Sequence, residues 1–93
     1  MKFEWDHDKN QKNREKHGLY FQDAELIFLG KIVTFVDDRQ DYGEQRWITL
    51  GELKDRTVVV VHAQRGFIIR IISMRKANER EKKIYFKRLE EIG

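Results

Sequence analysis

At 93 residues and 40% apolar composition the chain can bury one modest core, so a single domain over 1–93 is expected. The absence of cysteine excludes disulfides, thiol nucleophiles and thiolate zinc sites, and the absence of proline argues against linkers. The net charge of +3 is unevenly placed: residues 1–64 hold ten Lys/Arg against twelve Asp/Glu, while residues 65–88 hold nine basic residues against two acidic ones.

Lys2 to Trp5 alternates weakly and predicts a short strand. Asp6 offers a helix N-cap, with Asp8 in the first turn, for a nearly all-polar helix to about Lys16. Gly18 suits the left-handed position that stops it. A second helix, Gln22 to Leu29, is expected to be largely buried through Phe21, Ala24, Leu26, Ile27, Phe28 and Leu29, with Gly30 as its left-handed stop. Four strands follow: Lys31–Val36, Gln45–Leu50, Arg56–Ala63 and Phe67–Met74. The turns after the second and third are short, Gly51–Asp55 and Gln64–Gly66, so an antiparallel meander is expected. The last two strands are nearly continuously apolar, which places them centrally with cover on both faces. A last helix starts near Asn78, where Asn78 and Glu81 have capping-box spacing. Its apolar positions, Ile84, Tyr85, Leu89 and Ile92, come late, so its basic first half is expected to stay exposed. The order predicts an α+β fold: an antiparallel sheet of four to five strands, two N-terminal helices and one C-terminal helix.

The N-terminus has no apolar leader region, and the runs Val58–Val61 and Phe67–Ile69 are too short to span a bilayer. A cytoplasmic protein without membrane contact is expected.

Arg70 stands among isoleucines in a strand that otherwise reads as core. Strict alternation puts it with Ile68, Ile72 and Met74, and puts Arg75 on the other face unless a bulge intervenes. A guanidinium there needs a counter-ion, either a bound anion or a carboxylate such as Glu44 or Glu4. Arg46 shares the face of Arg70 if the strands align that way, but register is not legible in one sequence. His62 lies with Arg70 if the following turn has three residues, and opposite it if the turn has two. Lys16 and His17 close the first helix, where they either complement its dipole or face a basic site. Lys76, Arg80 and Lys83 lie in the basic third and are candidates for a polyanion-binding face; a solvated helix is the plain alternative. Tyr85 is a candidate proton donor, although core packing with Leu89 suits it better. The three histidines lack metal-ligand spacing, and no phosphate loop, serine elbow or carboxylate pair stands out, so no metal or cofactor is expected. What is left suits phosphodiester chemistry by charge stabilisation, with a 2′-hydroxyl as internal nucleophile.

Phe3-Glu4-Trp5-Asp6 followed by Lys9, Asn13, Lys16-His17-Gly18, Phe21 and Ala24 resembles the N-terminal signature of the BrnT toxins. Glu44, Arg46 and Gly51 match a second segment, and Ile69 to Ala77 with Glu81 and Tyr85 resembles the family's most recognisable stretch. Met74 departs from the usual alanine, and Asn78 stands where Thr is frequent. The resemblance implies a RelE/ParE-like fold and a metal-free ribonuclease that arrests translation. It also implies a BrnA-type ribbon-helix-helix antitoxin, a heterotetramer with it, and promoter binding only through it. It places Arg70 and Arg75 in the strongest motif, with Arg46, Lys16 and His17 next. A gyrase-binding toxin on the same fold and a non-catalytic nucleic-acid-binding regulator are the rival readings.

Overall fold

The computed structural model describes residues 1–92. Its elements are β1 (Lys2–Trp5), α1 (His7–His17), a 3₁₀ turn (Phe21–Asp23), α2 (Ala24–Leu29), β2 (Val33–Asp37), β3 (Arg46–Leu53), β4 (Arg56–Arg65), β5 (Ile68–Lys76) and α3 (Glu79–Ile92). The five strands form one sheet in the order β1-β5-β4-β3-β2. The meander β2 to β5 is antiparallel, but β1 joins β5 in parallel. The sheet is therefore mixed, not antiparallel throughout. A short first strand can pair this way because α1 carries the chain away before the meander begins.

Turn chemistry accounts for the strand limits. β3 runs on through Gly51 to Leu53, and the reversal falls on Lys54 and Asp55 alone, both with positive φ (50° and 64°). That is the pattern of a two-residue hairpin whose twist matches its strands. Gly51, expected in a turn, is a buried strand residue because α2 presses on it. A Cβ there would lie 2.6 Å from Ile27 Cγ2.

Two apolar layers flank the sheet. Phe21, Ala24 and Ile27 of the 3₁₀ turn and α2 pack on Val58, Val60, Ile69, Ile71 and Met74. On the other face Tyr85 and Leu89 of α3 join Val33, Ile48, Leu50, Val59 and Val61. Tyr85 is buried, and its hydroxyl donates to the Lys31 carbonyl at 2.8 Å. Two expectations for α2 fail. Leu26 and Leu29 are exposed, because so short a helix turns only one side inward. Gly30 stops it in extended backbone, φ −93°, rather than in the left-handed region.

Helix α1 is polar on every side, so apolar burial cannot hold it. Two buried asparagines do so instead. Asn10 Oδ1 accepts from the Phe21 amide at 2.9 Å, and its Nδ2 donates to Gln22 Oε1. Asn13 Nδ2 donates to the Leu19 carbonyl, and its Oδ1 accepts from the Met74 amide at 3.1 Å. β1 pairs only with Ile68 to Ile71 of β5, so beyond Trp5 the β5 edge would be open. Asn13 takes the vacant strand's place and fixes α1 alongside β5.

Candidate active site

Register on β5 decides where the arginines point. Ile71 pairs with His62 and Ser73 with Val61, so Ile72 is an extra residue in a β-bulge. Arg70 pairs with Ala63 and Arg75 with Val59, and both partners lie on the α3 face of β4. The bulge thus brings Arg70 and Arg75 to one face and sends Met74 to the other. Arg46 pairs with Asp37 of β2 and alternates with Ile48 and Leu50, so it too lies on the α3 face. α3 packs over β2 and β3, away from the edge where β1 and α1 flank β5.

Carboxylates steer Arg70 and Arg75. Arg70 Nη1 donates to Glu4 Oε2, the partner on β1 that faces it in register. Of the two counter-ions expected for Arg70, Glu4 is the actual one; Glu44 reaches Arg65 at 3.6 Å. Arg75 grips Glu81 with two bonds of 2.8 and 2.6 Å. Glu81 Oε1 also accepts from the Asn78 amide, while Asn78 Oδ1 accepts from the Glu81 amide, so the capping box forms as its spacing predicted. The bond from Arg75 holds the Glu81 carboxyl below the usual carboxylate range. Glu81 therefore ties the start of α3 to the end of β5.

The loop after β2 adds two residues that sequence reasoning missed. Arg39 grips the buried Asp37 carboxylate at 2.7 and 2.8 Å, and its charge reaches both Arg75 and Glu81. Tyr42 lays its ring 4.0 Å from the Arg46 guanidinium carbon. Arg46 Nε is buried without a hydrogen-bond partner. The loop's mixed Asp, Arg and Tyr composition was the available signal, but a loop's path has no periodicity to read.

Across a groove of about 240 Å³ stand Lys9, Lys12, Lys16 and His17 of α1, opposite Ile72 and Ser73 of the bulge. Partial burial, then the charges of Lys16 and Arg75, hold the His17 pKa below the ordinary histidine value. Lys16 and His17 thus line the groove, and the charge of Arg75 reaches His17. Other candidates lie elsewhere. Lys76 pairs with Val58, on the face opposite Arg70 and Arg75. Arg80 and Lys83 are exposed on α3. The turn after β4 has two residues, Gly66 and Phe67, so His62 faces away from Arg70, edge-on to Phe28.

The arrangement sets three guanidinium groups on one face of the sheet, and an imidazole and ammonium groups along an open groove at the β5 bulge. It can bind a phosphodiester and stabilise charge that builds on it. The sequence model of the ribonuclease toxin BrnT of type II toxin–antitoxin systems matches residues 5–81. The chain belongs to the BrnT toxin family. BrnT membership indicates a ribonuclease within a toxin–antitoxin pair, with an RNA substrate and an antitoxin partner. The match runs from Trp5, the last residue of β1, through the first turn of α3 and so includes the bulge, the α1 lysines and Glu81. No curated protein matches the BrnT chain. Among the described residues of this BrnT chain, no helix is long and apolar enough to cross a membrane.

Proposed function

We propose that this chain is a metal-independent endoribonuclease toxin that cleaves RNA by attack of a 2′-hydroxyl on the adjacent phosphodiester. The observation that carries the reading is the bulge at Ile72, which sets Arg70 and Arg75 on one face and, with Ser73, lies opposite Lys16 and His17 across a groove. In the reaction the 2′-oxygen loses its proton to a base and bonds to phosphorus. The bond from phosphorus to the 5′-oxygen breaks, and that oxygen takes up a proton. The products are a 2′,3′-cyclic phosphate and a 5′-hydroxyl, and no activated water is needed. Arg70, Arg75 and Arg46 bind the phosphate and its growing charge, and the unpartnered Arg46 Nε is a donor that a substrate oxygen would satisfy. His17, held neutral near pH 7, accepts the proton, and Lys16 adds positive charge beside it. Lys76, Arg80 and Lys83 contact RNA outside the cleft.

Cleavage arrests translation, and a BrnA-type ribbon-helix-helix antitoxin neutralises the toxin in a heterotetramer. The fold is RelE-like, with two helices before the meander and one after it. The protein works in the cytoplasm.

The test is cleavage of a structured RNA by the antitoxin-free chain in excess EDTA, beside Arg70→Ala. The wild type is expected to cut and the variant to lose roughly 100- to 1000-fold, the cost of one transition-state donor. Equal cutting by both removes Arg70 from the chemistry. Cutting abolished by EDTA contradicts the metal-free reaction. Intact RNA together with gyrase inhibition contradicts the ribonuclease reading for this chain.

A further inference from the structure

Lys9, Lys12 and Lys16 recur at the spacing of one helical stripe, along the side of α1 that faces the bulge. α1 runs beside β5, so the stripe follows the strand from Arg70 toward Arg75. At the near end Arg70 acts on the Asp6 carboxyl, and at the far end Arg75 acts on His17. Ile72 and Ser73 floor the groove, and no carboxylate lines it. Among the described residues, none of the three lysines has a carboxylate within 4.0 Å, whereas Arg39, Arg65, Arg70, Arg75, Lys82 and Arg88 all do. The stripe thus lines one groove with three cations that have no counter-charge within that distance.

Its outward face has no structural duty. Asn10 and Asn13 hold α1, the latter from the wall of the same groove, through bonds that would survive replacement of every lysine. Along the axis, Lys9 to Lys12 is about 4.5 Å and Lys12 to Lys16 about 6 Å. That spacing is comparable to successive phosphates of a single strand.

Resting on the ribonuclease reading above, we infer that Lys9, Lys12 and Lys16 form a phosphate track that holds the single-stranded RNA backbone flanking the cleavage point. Lys9 and Lys12 lie outside the chemistry and bind the strand beyond the scissile phosphate. Each neutralised phosphate releases counter-ions, so the track sets the salt dependence of binding and favours longer substrates over short ones.

The test uses the whole chain and its Lys9→Gln/Lys12→Gln variant. A control, Lys54→Gln/Lys87→Gln, removes the same charge at exposed positions elsewhere. Binding to a 12-nucleotide 2′-O-methyl RNA, which lacks the nucleophile, is followed over a salt series. Cleavage of an unmodified 12-mer and of a dinucleotide is measured in parallel. The slope of log Kd against log[salt] is expected to fall by about 1.4 in the track variant, with affinity at 0.1 M salt down about 25-fold. Its kcat/KM is expected to fall by a similar factor on the 12-mer relative to the dinucleotide, and the control should match wild type. If the track variant binds with wild-type affinity and slope, or the control loses as much, the track is wrong while wild-type cleavage leaves the ribonuclease reading standing. If the wild type neither binds nor cleaves either RNA, both fall together.

Discussion

His62 shows how one group can be buried for packing alone. Its Nε2 meets Thr49 Oγ1 at 2.7 Å, Thr49 meets Thr34 Oγ1 at 2.8 Å, and Nδ1 has no partner. Burial pushes its pKa down from 6.5 to about 4. The folded state therefore resists a proton that the unfolded chain accepts. Stability is complete above about pH 6.5, falls as pH drops below it, and reaches its full loss near pH 4. The difference is of order 3 kcal/mol. Urea unfolding at a series of pH values should show this loss in wild type, and His62→Gln should lack it over that window. Glu81 plays the opposite part, positioning a functional group. Glu81→Gln keeps the cap but releases Arg75 from its two-pronged grip. Stability should change by less than about 1 kcal/mol, while RNA cleavage should fall roughly 10- to 100-fold through misplacement of the guanidinium. Unchanged cleavage would remove Arg75 from the site.

At the scale of elements, the molecule relies on a few local devices. Asn13→Ala leaves the Met74 amide and the Leu19 carbonyl unpaired at a buried edge. A loss of about 2 kcal/mol or more is expected by thermal or urea unfolding, with α1 loosened from β5. Gly51→Ala would drive a methyl group into Ile27 and Ile32, at 2.6 and 3.3 Å, and should cost about 1–3 kcal/mol by overpacking. Stability at wild-type level would show that α2 can ride away from β3. These devices also mark the limit of what the sequence discloses. The capping box of Asn78 and Glu81 was legible because three residues of spacing define it. The valine strand, the α1 cap and the Gly18 stop were legible for the same reason. The bulge at Ile72 was not, since one inserted residue reverses every later side chain without altering the local pattern. Nor was the parallel pairing of β1 with β5, which depends on residues 66 positions apart. Arg46, Arg70 and Arg75 stood out singly, but only register brings them to one face.

Across the whole molecule, charge is organised by the fold rather than by stretches of sequence. The surplus of residues 65–88 pointed toward α3. There Lys82 meets Glu79, Arg88 lies 4.0 Å from Glu91, and Lys76 turns to the opposite face from Arg75. The groove draws its lysines instead from α1, within the stretch that is acidic on balance. Five strands, with the 3₁₀ turn and α2 on one face, α1 beside β5 and α3 covering part of the other face, leave the β5 side of that second face open for substrate. The central claim is that this face cleaves RNA by charge stabilisation with an internal nucleophile. The most direct measurement is the chemical identity of the new ends, formed in excess EDTA on an RNA oligonucleotide and on its copy with a 2′-deoxy residue at the cleaved position. The account predicts a 2′,3′-cyclic phosphate and a 5′-hydroxyl from the first and no cutting of the second. A 5′-phosphate with a free 3′-hydroxyl, or cutting of the deoxy copy at an equal rate, would contradict it.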